Sequence, residues 1–288
     1  MQEGMTRRAA VLGAIVAAPV LAWSDASAAE PGFAALERDS GGRLGIAMLD
    51  LQTGRRRLYR AHERFALCST FKFLATALVL ARVDSGRERL DRRIVFGEPD
   101  LVTYSPITKD HTGPGGMSLG EICEAALTLS DNTAGNLLLA SFGGPPALTA
   151  YARSLGDRVT RLDRRETELN EAAPGDPRDT TTPAAMVRNM QHVLLGRALS
   201  ASSRAQLTAW LCANKTGDRR LRAGLPGDWR VGDKTGTGEH GATNDIAILW
   251  PPGRAPLLVA AYYTESTATG EARNAVLAQV GRIIATAV

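Results

Sequence analysis

From Phe71 to Leu80 the chain is apolar or small at every position except Lys72 and Thr76, and Leu74, Ala77, Leu78 and Ala81 recur at the spacing of one helix face. This pattern predicts a buried helix with Ser69 in its first turn. Upstream, residues 43–51 read as a strand, Thr53-Gly54 as a turn and residues 56–60 as the returning partner. Helical spacing then dominates a long middle stretch, at 118–128, 132–142, 146–155, 183–195 and 201–212, with Gly- and Pro-bearing loops between. Strand patterns resume at 229–235, 245–250 and 256–264. An amphipathic helix follows over 271–287, with Ala275, Val276, Gln279, Val280 and Ile283 along one side. Strands at both ends with helices between them predict an α/β domain built from 30–60 and 215–288, an antiparallel sheet flanked by helices. An all-helical domain, 61–214, is inserted into it.

Composition narrows the classes. The 288 residues are 44% hydrophobic with a formal net charge of +4, which is too mild and too dispersed for a nucleic-acid binder. Arg7-Arg8, the apolar run from Ala9 to Ala22 and the small residues Ala26-Ser27-Ala28-Ala29 read as an export signal over 1–29, of the general secretory or the twin-arginine kind. That run is too short to span a bilayer, and no later stretch reaches the roughly 18 apolar residues a span needs. The expectation is a periplasmic or secreted protein without a membrane span. It is expected to be a monomer, because nothing in the chain requires an oligomer. Three cysteines, Cys68, Cys123 and Cys212, allow at most one internal disulfide, and the four histidines are scattered. Neither set has metal-ligand spacing, so no metal or cofactor is expected.

Four stretches carry candidate chemistry. Ser69 and Lys72 are three apart on the predicted helix and so share a face. A lysine at depth in an apolar helix must be paired or lose its proton, and either state suits a group that activates a hydroxyl nucleophile. Ser130-Asp131-Asn132 lies between two helical patterns. All three residue types cap helices, but the same tripeptide can form a polar tip in which Ser130 passes a proton, Asn132 holds an amide and Asp131 fixes the turn. Lys234-Thr235-Gly236-Thr237 ends a strand, and its charge, hydroxyls and glycine suit an anion-binding edge. The amides of Thr237 and Ser69 are candidate donors of an oxyanion hole. Last, the charge-rich loop 161–179 contains Arg164, Glu166, Asn170 and Asp179. Loops of that length inside a compact domain are often functional.

Ser-x-x-Lys, Ser-Asp-Asn and Lys-Thr-Gly in this order, with Asp100 to Pro106, the loop from Arg164 to Asp179 and Arg178-Asp179-Thr180-Thr181-Thr182-Pro183, make the chain from about Gly42 onward resemble the class A serine β-lactamases. The resemblance implies a cleft between the two domains in which Ser69 attacks a β-lactam carbonyl. The proton is taken by Lys72, or by Glu166 through a water. Ser130 would protonate the lactam nitrogen, and Glu166 with Asn170 would direct water at the acyl-enzyme. It also implies that Lys234, Thr235, Gly236 and Thr237 bind the substrate's carboxylate side, with Arg220 as a further cation. Asn132 would bind its amide, Tyr104 would wall the entrance, and Arg164 with Asp179 would clamp the loop. The partner is then a small β-lactam, and penicillins and cephalosporins are the expected substrates.

Three positions depart from the family pattern. Thr167 stands where proline commonly follows the loop glutamate after a cis bond, and the cis bond is expected to persist. Cys123 lacks its disulfide partner, since the matching position is Thr76 or Ala77. Cys68 faces Gly238 where some carbapenem-hydrolysing relatives form a bridge, which argues against carbapenem hydrolysis. Three free, buried thiols are expected. Two other activities use the same three motifs, a D-alanyl-D-alanine peptidase and a sensor that stays acylated. Neither needs the Glu166 and Asn170 pair.

Overall fold

The computed structural model describes residues 31–288, so the export-signal reading of 1–29 lies outside the described residues. The described chain begins with helix α1 (Pro31–Ser40), in which Phe33 is the one buried side chain. A helix with a single buried position has no stripe to read, and the sequence pattern does not announce it. Strands β1 (Arg43–Asp50) and β2 (Arg56–Tyr59) form the expected hairpin, with Ala47 opposite Leu58. The short strand β3 (Phe65–Ala66) leads into a 3₁₀ turn, Cys68–Thr70, and helix α2 (Phe71–Asp84) starts after it. Ser69 therefore sits in the 3₁₀ turn, not in the first turn of the helix.

A second antiparallel pair not foreseen from the sequence, β4 (Arg93–Phe96) with β5 (Gly113–Ser118), lies within the stretch expected to be all-helical. Helix α3 (Leu119–Thr128) begins at Ser118, whose hydroxyl accepts from Glu121 N while the Glu121 carboxylate accepts from Ser118 N. Helix α4 (Asn132–Phe142) begins at Asp131, which accepts from Ala134 N, and stops at Gly143 in the left-handed region. Helix α5 (Pro145–Ser154) follows, and then the long loop ends in β6 (Thr180–Thr181). Helices α6 (Pro183–Leu194) and α7 (Ala201–Cys212) are capped by Thr182 and Ser200. The strand β6 is too short to carry a pattern, yet it pairs with β3, Phe65 opposite Thr181. That pairing fastens the end of the loop to the segment just before Ser69.

Strands β7 (Arg230–Thr237), β8 (Thr243–Trp250) and β9 (Leu257–Thr264) complete one antiparallel sheet in the order β2-β1-β9-β8-β7, and helix α8 (Gly270–Ala285) returns across it. The sheet is buried on both faces. One face brings Ala47, Ile246, Ile248, Leu258, Ala260 and Tyr262 into the same core as α2, α3 and α6. The other brings Leu44, Ile46, Ala247, Val259, Ala261 and Tyr263 against Phe33 of α1 and Val276, Leu277, Val280 and Ile284 of α8. Two buried faces explain why β9 reads as a continuous apolar run with no alternation. Strand β7 is bonded to β8 on one side only, so its other edge is left to meet the 3₁₀ turn. Among the described residues, no helix is long and apolar enough to cross a membrane.

Leu258 is fully buried in the core between sheet and helices. Leu258→Ala should lower the unfolding free energy by about 2–5 kcal/mol, seen as a lower urea midpoint at unchanged slope.

Candidate active site

Ser69 Oγ lies between two groups of opposite charge. It accepts from Lys72 Nζ at 2.9 Å and donates to Glu166 Oε1 at 3.0 Å. Lys72 Nζ is itself 2.9 Å from Glu166 Oε1, and both side chains are fully buried. Lys72 also reaches Ser130 O at 2.8 Å and Asn132 Oδ1 at 2.7 Å. An ammonium has three hydrogens for these four acceptors. Two therefore go to Ser130 and Asn132, and the third is shared between Ser69 and Glu166. Burial pushes the Lys72 ammonium below the ordinary lysine range, and the adjoining Glu166 pushes it partly back. Room for the lysine comes from Gly135, where a Cβ would stand 2.7 Å from Lys72 Cε.

Glu166 is held by its backbone as well as its carboxylate. Asn136 accepts from Glu166 N at 2.9 Å and donates to Glu166 O at 2.8 Å, and Asn170 Nδ2 donates to Glu166 Oε2 at 2.5 Å. The Glu166–Thr167 peptide is cis. At the loop ends Arg164 Nε meets Asp179 Oδ2 at 2.6 Å, while Asp179 Oδ1 accepts from Asp163 N and Arg164 N. Asp179 O in turn accepts from Leu67 N, two residues before Ser69. Gly238 lets the loop lie close, since a Cβ there would meet Asn170 O at 2.7 Å and Cys68 Sγ at 2.8 Å.

Ser130, in the left-handed region, links the two lysines. Its carbonyl accepts from Lys72, and its hydroxyl accepts from Lys234 Nζ at 2.9 Å. Lys234 also donates to Thr235 O at 2.9 Å. It is fully buried, and burial first, then the like charge of Lys72, hold its ammonium well below the ordinary lysine range. Asp131 takes both oxygens inward, accepting from Ile107 N, Thr108 N, the Thr108 hydroxyl and Ala134 N. Asn132 spends one lone pair of Oδ1 on Lys72 and one hydrogen of Nδ2 on Thr103 O at 2.9 Å, which leaves one acceptor site and one N–H donor. Arg220 is buried at the end of β7, donating to Gly236 O at 2.7 Å, Asn244 O at 2.6 Å, Thr237 Oγ1 at 2.6 Å and Asn274 Oδ1 at 3.0 Å.

These groups open onto one cleft of about 400 Å³, lined by Ser69, Tyr104, Ser130, Asn132, Asn170, Thr216, Arg220 and Thr235 to Thr237. Tyr104 is 55% exposed at its rim. Lys72 and Glu166 lie beneath Ser69, and Asp131, Arg164 and Asp179 stand behind the walls as supports. Sequence reasoning missed Asn136 and Thr216. Asn136 was detectable, being a second asparagine four residues after Asn132 on one face of an apolar helix. Thr216 was not. Its hydroxyl is 2.5 Å from that of Thr235, a contact between segments with no shared periodicity. The cysteines are free, but Cys212, at the end of α7, is only partly buried, which corrects the expectation of three buried thiols.

Residues 29–288 match the family described as "Beta-lactamase enzyme family". The chain is 48% identical over 262 residues to β-lactamase CTX-M-8 of Citrobacter amalonaticus, covering 91% of this chain and 90% of that protein. It is 45% identical over 288 residues to β-lactamase OXY-1 of Klebsiella oxytoca, covering 99% of each. Among solved structures it is similar to the ancestral (GNCA) class A β-lactamase, with TM-score 0.88 and 66% identity, over 90% of this chain and 99% of that one.

Burial pushes the Cys68 thiol up to about 12 and raises Cys123 further, whereas Cys212 is partly exposed to solvent. A thiol reagent should therefore label Cys212 alone in the folded protein and all three cysteines in denaturant without reductant, as counted by mass spectrometry.

Proposed function

The chain belongs to the class A serine β-lactamases and is a β-lactam hydrolase, and we propose that Ser69 is its nucleophile, with Lys72 and Glu166 the two bases that serve it. The observation that carries this reading is the reach of one hydroxyl oxygen at the cleft, 2.9 Å from an amine and 3.0 Å from a carboxylate that are both fully buried. Glu166, which already accepts the Ser69 hydroxyl hydrogen, can take the proton as Oγ attacks the lactam carbonyl, and Lys72 can do so once it has given up one of its own. The tetrahedral oxyanion is assigned to the N–H groups of Ser69 and Thr237. The first N–H groups of a helical turn have no partner within it. Thr235 O points to the free edge of β7 toward Lys234, so Thr237, two residues on, presents its own peptide groups to the same edge.

When the ring opens, Ser130 gives its hydroxyl proton to the departing nitrogen, and the Lys234 ammonium beside it supports the charge that develops. Glu166 then deprotonates a water, which attacks the ester carbonyl. Asn170 holds the carboxylate through Nδ2, and its buried Oδ1, without a protein donor among the described residues, is a natural acceptor for that water. Lys234, Thr235, Thr237 and Arg220 are read as the seat of the substrate carboxylate, with Gly236 leaving the strand flat against it. Asn132 is read as the acceptor for the side-chain amide, and Tyr104 as a wall. Asp131 and the Arg164 and Asp179 pair position these groups without touching substrate. We read the protein as an exported monomer of two domains, 30–60 with 215–288 and 61–214, acting on penicillins and cephalosporins.

Purified protein should turn over a chromogenic cephalosporin many times per molecule. One stoichiometric burst would favour the peptidase or the sensor. Glu166→Ala should acylate and then stall, with an adduct of substrate mass on the intact protein. An unchanged rate with no adduct would remove Glu166 from the mechanism. As pH rises through the depressed Lys234 range the ammonium is lost, so KM for carboxylate-bearing substrates should climb well below the pH at which a free lysine titrates. Lys234→Arg, which stays charged, should flatten that climb.

A further inference from the structure

On the sheet face turned toward α8 lie two buried carboxyls that the mechanism does not use. Asp245 of β8 stands directly across from Thr235 and diagonal to Asp233 of β7. Both are fully buried, but they are satisfied very differently. Asp233 accepts from Asn214 Nδ2 at 2.5 Å on one oxygen and from Arg222 on the other. Asp245 accepts one bond, from Leu221 N at 3.2 Å on Oδ2, and its Oδ1 has no partner among the described residues. A carboxylate left with one long hydrogen bond at that depth, beside an ion-paired neighbour of like charge, is strongly disfavoured against the neutral acid. Burial and Asp233 accordingly push Asp245 well above the carboxylate range.

The peptide that Asp245 holds is the one that follows Arg220. Every hydrogen-bond partner of the Arg220 guanidinium is neutral, namely two carbonyls, a hydroxyl and an amide oxygen. Among the described residues, no ion pair joins it to a carboxylate. The nearby cations are engaged elsewhere, Arg222 on Asp233 and Arg273 of α8 on Thr243 Oγ1 and Ala268 O. An ionised Asp245 would draw the Arg220 field back into the protein. An apolar side chain in its place would strand the buried Leu221 N–H.

We propose that Asp245 is a positioning residue for substrate recognition: a neutral carboxyl that anchors the turn after Arg220 and so presents an uncancelled guanidinium to the cleft. This rests on the reading of Arg220 as a partner of the substrate carboxylate. Steady-state kinetics with a penicillin, alongside thermal melts to report folding, test both. Arg220→Gln should raise KM about tenfold with kcat little changed, and a KM it leaves unmoved fails the Arg220 reading itself. Asp245→Leu should raise KM at least fivefold with kcat within twofold, and should add nothing in the Arg220→Gln background. Asp245→Asn, whose amide oxygen still accepts from Leu221 N and carries no charge, should restore KM to within twofold of the parent. A KM shifted more than twofold in either direction by Asp245→Asn overturns the neutral carboxyl, whether or not the leucine variant folds. A leucine variant that folds with parental KM, or whose effect simply multiplies that of Arg220→Gln, overturns the positioning role.

Discussion

Lys72 and Glu166 meet at full side-chain burial, away from bulk solvent, and the rest of the structure is built to make that meeting tolerable. Each charge alone at such depth would cost several kcal/mol, so neither could remain ionised without the other and without further hydrogen bonds. Lys72 finds them on Ser130 and Asn132, and Glu166 on Asn170 and Ser69. Removing one partner strands the other, which is why residues from a helix, an interhelical corner and a loop depend on one another. Ser69 is held for the same reason. Its oxygen is the one neutral group that both ions can share.

Holding Glu166 in place is the work of segments with no chemistry of their own. Asn136 grips its peptide from both sides, Arg164 and Asp179 close the loop, and β6 with Asp179 O ties the loop's far end to the residues before Ser69. A loop fastened at both ends and at its middle aims a carboxylate with the accuracy of a regular element. The sheet makes the complementary contribution. Because β7 pairs on one side only, its free edge turns peptide groups toward the cleft, with Lys234 buried behind it on Ser130 Oγ and Thr235 O, while the opposite face carries the acids and arginines around Arg220.

Much of this was legible from local order. The period of a helix puts Ser69 beside Lys72 even though a 3₁₀ turn replaces the expected first turn, because both conformations return to the same face after three residues. Apolar runs located β1, β8 and β9, and helical spacing located α3, α4 and α6. Three ordered motifs identified the chemistry. The short pairs β3 with β6 and β4 with β5, and helix α1, were not legible, since two to six residues or a single buried side chain carry no period.

By itself the sequence determined which residues share a helix face or a strand edge, because backbone geometry repeats over a few positions whatever surrounds it. Only the tertiary structure decided that Ser69 touches Lys72 and Glu166 at once, that Asn136 and Thr216 belong to the site, that Cys212 is partly exposed and that Asp245 lies unmatched near Arg220. Those facts depend on distances between segments far apart in the chain, which are set by how two cores pack against one sheet.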